Sequence, residues 1–143
     1  MKKIVVMFLS VVLLFSCASA QKKTQDVAGL KQRVEAFYKA RTAHDFKEGF
    51  RYENMSLTPD FTEKQYMTNA AKSPMEYLEA EMLSIDMNES KDEALVKMRL
   101  KYRLMPMQGF EKFTQIQERT IEDKWVYKEG NWYHIFKGIT REW

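Results

Sequence analysis

A chain of 143 residues has room for one core of ordinary size and excludes two comfortable domains. At 45% hydrophobic residues, with three Trp, seven Tyr and nine Phe, it can build a core, which excludes a disordered or low-complexity chain. The formal net charge is +3, and two of the cations, Lys2 and Lys3, fall in a leader read below as removed. No global field is left to draw the chain onto a polyanion, so nucleic acid is not an expected partner.

The chain opens with Lys2 and Lys3 followed by an apolar run from Ile4 to Phe15, broken only by Ser10. This pattern reads as a signal peptide over residues 1–16. As a helix the run reaches about 18 Å, short of the roughly 30 Å hydrocarbon core, so cleavage is expected over spanning. Leu14-Phe15-Ser16-Cys17 resembles the bacterial lipoprotein box, in which the cysteine is lipidated and becomes N-terminal; Phe15 departs from the small residue usual there. The rival is Ala18-Ser19-Ala20, an A-x-A site that would release a secreted or periplasmic soluble protein. The only cysteine stands at the end of the apolar run, where lipidation needs it, which favours lipidation at Cys17. On that reading residues 17–25 are a polar tether of at most about 30 Å, and residues 26–143 are a single domain held on the cell envelope by its lipid. Ala18 after the cysteine resembles lipoproteins sent to the outer membrane, facing the periplasm. With no second cysteine to pair, stability rests on packing alone.

Val27, Leu30, Val34, Phe37, Tyr38 and Arg41 recur at helical spacing and predict an amphipathic helix over 26–42. Asp45 is placed to cap a short second helix carrying Phe46 and Phe50, weakened by Gly49. Asp60, after Thr58-Pro59, is read as the cap of a third helix over 61–72, which ends before Ser73-Pro74. The period then changes to two. Tyr77 to Asn88 alternates but shifts phase, which a bulge near Met82 and Leu83 explains. Residues 93–105 alternate cleanly, with Ala94, Val96, Met98, Leu100 and Tyr102 on one side and Lys97, Arg99, Lys101 and Arg103 on the other. A turn containing Pro106 and Gly109 leads to a long strand over 110–127, and Lys128-Glu129-Gly130-Asn131 closes a hairpin onto residues 132–137. The fold class is therefore α+β: three N-terminal helices packed on a curved four-stranded antiparallel meander. Its concave side is expected to meet the Leu30, Val34 and Phe37 stripe of the first helix.

This element order, with Phe37-Tyr38 and Ala43-His44-Asp45-Phe46 at the passage between the first helices and the hairpin from Trp125 to His134, resembles the nuclear transport factor two-like superfamily over residues 26–138. The resemblance implies a cone-shaped α+β fold. It leaves activity open, because members include isomerases and dehydratases with a polar residue deep in the cone as well as binding, dimerising and accessory domains.

His44 and His134 are the two histidines, too far apart in sequence for a two-His metal constellation at helical spacing, and no cysteine is free to help, so no metal and no cofactor is expected. His134 is in phase with Trp132 and Phe136, facing inward. It reads either as a hydrogen-bonded core histidine or as a weak catalytic candidate, with Tyr38, Tyr102 or Glu118 as partners. One slip of the long strand would turn Glu118 outward. Tyr38, Met98, Tyr102, Trp132, His134 and Phe136 form the expected lining for a small apolar ligand. The basic row recurs at about 6.8 Å and reads as a wetted face offset by Glu79, Glu81 or Glu118, with an anionic polymer or membrane surface as the alternative.

Three readings of function follow. The first is a membrane-anchored, non-catalytic binding or accessory domain for a small apolar ligand or an envelope protein. The second is an isomerase- or dehydratase-type enzyme using His134, and the third is a structural homodimer. The absence of a legible acid and base pair favours the first.

Overall fold

The computed structural model describes residues 27–105 and 115–136. The leader, the lipidation site, the tether and residue 26 lie outside the described residues, as do most of the 105–109 turn and the start of the long strand. The chain divides into two compact units, Met1–Gln32 and Arg33–Trp143. Of the first, only the opening turns of helix α1 (residues 27–42) are described, and Leu30 there is buried. Everything below concerns the second.

Helix α1 ends where the sequence provides a stop. His44 takes a positive φ of 57°, Asp45 N–H reaches back to the Ala40 carbonyl at 2.9 Å, and His44 N–H to that of Arg41 at 3.2 Å. This is a Schellman closure with His44 in the left-handed position. Asp45 then caps α2 (Phe46–Phe50), its carboxylate accepting from Glu48 N–H at 3.0 Å. A short 3-10 helix (Asn54–Leu57) leads to α3 (Glu63–Ala71). Thr62, not Asp60, is the cap of α3: Thr62 and Gln65 form a reciprocal capping box, a stronger start signal than an isolated acid two residues earlier. Phe50 and Tyr66 pack at 5.3 Å and join α2 to α3.

The four strands are β1 (Met75–Met87), β2 (Glu93–Leu104), β3 (Gln117–Lys128) and β4 (Asn131–His134), paired antiparallel in sequence order. The α+β expectation of three helices before a curled four-stranded meander is what the chain adopts. β1 carries the expected bulge between Met82 and Ser84 and a second between Tyr77 and Glu79. Asn88 pins the first hairpin by accepting from Asp92 and Glu93 N–H, each at 3.1 Å. In the last hairpin Glu129 and Gly130 both have positive φ, the two-residue turn that suits the right-handed twist of its strands. β4 is shorter than the sequence pattern suggests and stops at His134.

Register fixes which residues share the concave face. Val96 lies opposite Asp123, Met98 opposite Ile121, and Ala94 opposite Trp125, which in turn lies opposite His134. Val34 and Phe37 of α1 are buried as expected, and Phe37 meets the Trp125 ring edge-on at 5.7 Å. Arg33 also ties α1 to the sheet. Its Nε donates to the Trp132 carbonyl at 2.5 Å, and its guanidinium lies 4.7 Å from the Tyr52 ring and 5.0 Å from that of Tyr133. Beyond β4, residues 52 and 53 run alongside the sheet: His134 N–H donates to the Tyr52 carbonyl at 2.7 Å, and Glu53 bridges His134 in parallel. Among the described residues no helix is long and apolar enough to cross a membrane.

Candidate functional site

The bridge at Glu53 brings a carboxylate into the core beside His134. Glu53 is fully buried, and its Oε2 lies 2.8 Å from His134 Nδ1. On the other side of the ring, Nε2 lies 3.6 Å from Asp123 Oδ1. Each carboxylate has a tyrosine as well: Tyr38 OH donates to Asp123 Oδ2, and Tyr66 OH donates to Glu53 Oε1 at 3.2 Å. Phe37 stacks on the imidazole at 4.7 Å. Arg41, one turn along α1 from Phe37, lies 5.4 Å from the Phe37 ring and 4.9 Å from that of Tyr77, with its Nη1 3.9 Å from Glu53 Oε1. Helices α1 and α3, residue 53 and strands β1, β3 and β4 thus all contribute to one buried polar cluster.

Its electrostatics follow from burial and pairing. Burial alone would lower the His134 pKa, but the hydrogen bonds and charges of Asp123 and Glu53 outweigh it and raise it to about 9. The ring is therefore an imidazolium at neutral pH. Burial would raise Asp123, yet the His134 contact and the Tyr38 hydroxyl hold it below the ordinary carboxylate range. Burial and the neighbouring Asp123 push the Tyr38 phenol far up, and burial and Glu53 do the same to Tyr66. The shifts of His134, Asp123, Tyr38 and Tyr66 all lead away from proton exchange near pH 7. Two buried donors, Arg41 Nε and Trp125 Nε1, have no hydrogen-bond partner among the described residues.

The sequence expectations divide accordingly. His134 and Tyr38 do come together, but through Asp123, a residue the sequence did not single out. Of the three partners expected for His134, Glu118 is exposed on the outer face, 3.6 Å from Arg99, and Tyr102 donates its hydroxyl to Gln117 at 2.8 Å. Tyr102 and His134 lie opposite Gln117 and Trp125, eight residues apart on β3 and so roughly 27 Å along the strand. Met98 is buried between Met82 and Ile121, Trp132 is buried beside Tyr127, and Phe136 is half-buried after the end of β4. Met98 and Tyr102 are thus set apart from Tyr38 and His134, which belong to the charged cluster. Among the described residues no group of three or more His, Cys, Asp or Glu is placed to hold a metal ion. Cys17 lies outside them.

The basic row is the outer face of β2, and its neighbours answer it charge for charge. Lys97 reaches Glu122 at 3.4 Å, Arg99 reaches Glu81 at 2.9 Å, Lys101 reaches Glu79 at 2.7 Å, and Arg103 pairs with Glu76. The row is a solvated, compensated surface.

No protein-family model matches the chain, and no curated protein matches it. Solved structures do. A SEC-C motif containing protein from Psychrobacter arcticus aligns with a TM-score of 0.52 at 12% identity, over 76% of this chain and 59% of that one. A LEH-like epoxide hydrolase from M. tuberculosis gives 0.47 at 14% identity, over 74% and 76% of the two chains. A protein of the NTF2-like family from Streptomyces avermitilis gives 0.48 at 12% identity, over 78% and 92%. These likenesses are of fold alone. The order of three helices before a four-stranded antiparallel meander is the α+β arrangement expected from the sequence.

Proposed function

We propose that the chain is an exported, lipid-anchored envelope domain that binds a small, largely apolar ligand on the concave face of its sheet and does not transform it. The observation that supports binding over catalysis is the commitment of both His134 ring nitrogens to carboxylates. A general base needs a free nitrogen lone pair near the working pH, and an imidazolium with a pKa of about 9 has none to offer at neutrality. The carboxylates are likewise engaged by tyrosine hydroxyls. For a ligand body, the concave face offers Ala80, Met82, Ile85 and Ile121, all half-buried and apolar, of which Met82 can adjust its shape to the guest.

Incubation with a metabolite extract followed by recovery of the bound fraction tests this reading. The expected result is a molecule retained and released unchanged. A product that appears with the wild type and vanishes with His134→Gln would hand the site to the isomerase- or dehydratase-type alternative. The anchor is checked separately by metabolic labelling with a fatty acid: the wild type takes up label and Cys17→Ser does not, whereas a labelled serine variant or a mature N-terminus at Gln21 contradicts it.

A further inference from the structure

We infer that Arg41 anchors a monocarboxylic acid, an inference that rests on the binding reading above and assigns its ligand class. The argument is one of unspent donors. Three of the four carboxylate oxygens of Glu53 and Asp123 are hydrogen-bonded to His134, Tyr38 or Tyr66, and the fourth, Asp123 Oδ1, lies 3.6 Å from His134 Nε2 as an ion pair. Among the described residues no hydrogen bond joins Arg41 to either carboxylate: its Nη1 stands 3.9 Å from Glu53 Oε1, too long for one, and it acts on Asp123 through charge alone. The guanidinium has five N–H donors in a planar fork, and among the described residues none of them meets an acceptor at hydrogen-bond distance, the buried Nε included. Rings on both Phe37 and Tyr77 restrain the fork, and the side chain keeps 20% of its surface exposed, so a ligand can reach it from solvent.

Geometry and charge narrow the class. A planar fork is matched by the two oxygens of a carboxylate, which it binds bidentately. Arg41 and protonated His134 balance Glu53 and Asp123. A monoanion therefore adds one uncompensated charge, whereas a dianion such as phosphate brings a second against the same two carboxylates. Half-buried apolar side chains are there for the ligand body, Ile121 two residues before Asp123 on the concave face and Met82 on the far side of the buried Met98.

Hexanoate is the probe, with hexanamide and inorganic phosphate as comparators, and the Arg41 Nε–H resonance of the full chain near neutral pH is the readout. Hexanoate is expected to shift that resonance saturably, with hexanamide and phosphate at least tenfold weaker. Arg41→Lys, which keeps the charge and loses the fork, should weaken hexanoate at least tenfold while retaining the near-UV spectrum of a folded chain; if that variant unfolds, the wild-type resonance decides alone. An unmoved Nε–H, an equal response to hexanamide, or undiminished affinity in folded Arg41→Lys overturns the inference. Failure of the anchor is distinct from failure of the binding reading: a retained neutral apolar molecule with no hexanoate response removes only the first, and His134-dependent turnover removes only the second.

Discussion

Two sets of ion pairs lie on opposite sides of one sheet, and they differ in what they do. On the outer face Lys97, Arg99, Lys101 and Arg103 meet glutamates at side chains that are 42–49% exposed. Exposed pairs of this kind are worth about 0–1 kcal/mol each and are screened by salt. On the inner face Glu53, Asp123 and His134 are withdrawn from water, and removing one partner leaves a charge that nothing else can solvate. The outer pairs keep the surface soluble and compensated. The inner set fixes the position of α1, residue 53 and two strands and holds His134 as a fixed cation.

The comparison is broken most severely by Glu53→Ala, which strips His134 of one carboxylate, Tyr66 of its acceptor and Arg41 of its ion pair. A loss of about 3–5 kcal/mol is expected in urea melts, and a loss as small as that of a surface change would mean the cluster is not buried. Leu100→Ala sharpens it within three consecutive residues, since Leu100 is fully buried between two outer-face cations. It should cost about 2–5 kcal/mol, and a cost under about 1 kcal/mol would mean the faces are reversed. Lys101→Ala, next to it, should cost less than about 1 kcal/mol, and less still in high salt; a larger, salt-independent loss would place that pair in the inner class.

The outer set was legible because it lies on regular elements. The period-two row of β2 identifies Lys97 to Arg103 as one face, and strand neighbours supply their partners. The inner set was half legible. Phase along β4 turns His134 inward, and helical spacing puts Tyr38 beside Phe37. Asp123 carried a signal too, two residues before Trp125 on the same face, but it was hidden by the one-residue ambiguity of β3. Glu53 carried none. It belongs to no periodic element, and only the tertiary bridge to His134 brings it into the core. The Asp60 cap was misplaced: Thr62, two residues on, caps the helix through its reciprocal pairing with Gln65.

The account turns on the charge of His134, and a titration of its ring nitrogens by 15N spectroscopy tests it most directly. The folded pKa lies above the ordinary value of 6.5, so this group's stabilisation is fully present below pH 6.5 and is lost as pH rises through about 9. That shift corresponds to about 3 kcal/mol at most. The expected result is two protonated ring nitrogens at pH 7, deprotonation near pH 9, and a parallel loss of stability that His134→Gln abolishes. A neutral tautomer at pH 7 with a midpoint at or below 6.5 would contradict the account, free a lone pair for proton transfer, and return the site to catalysis.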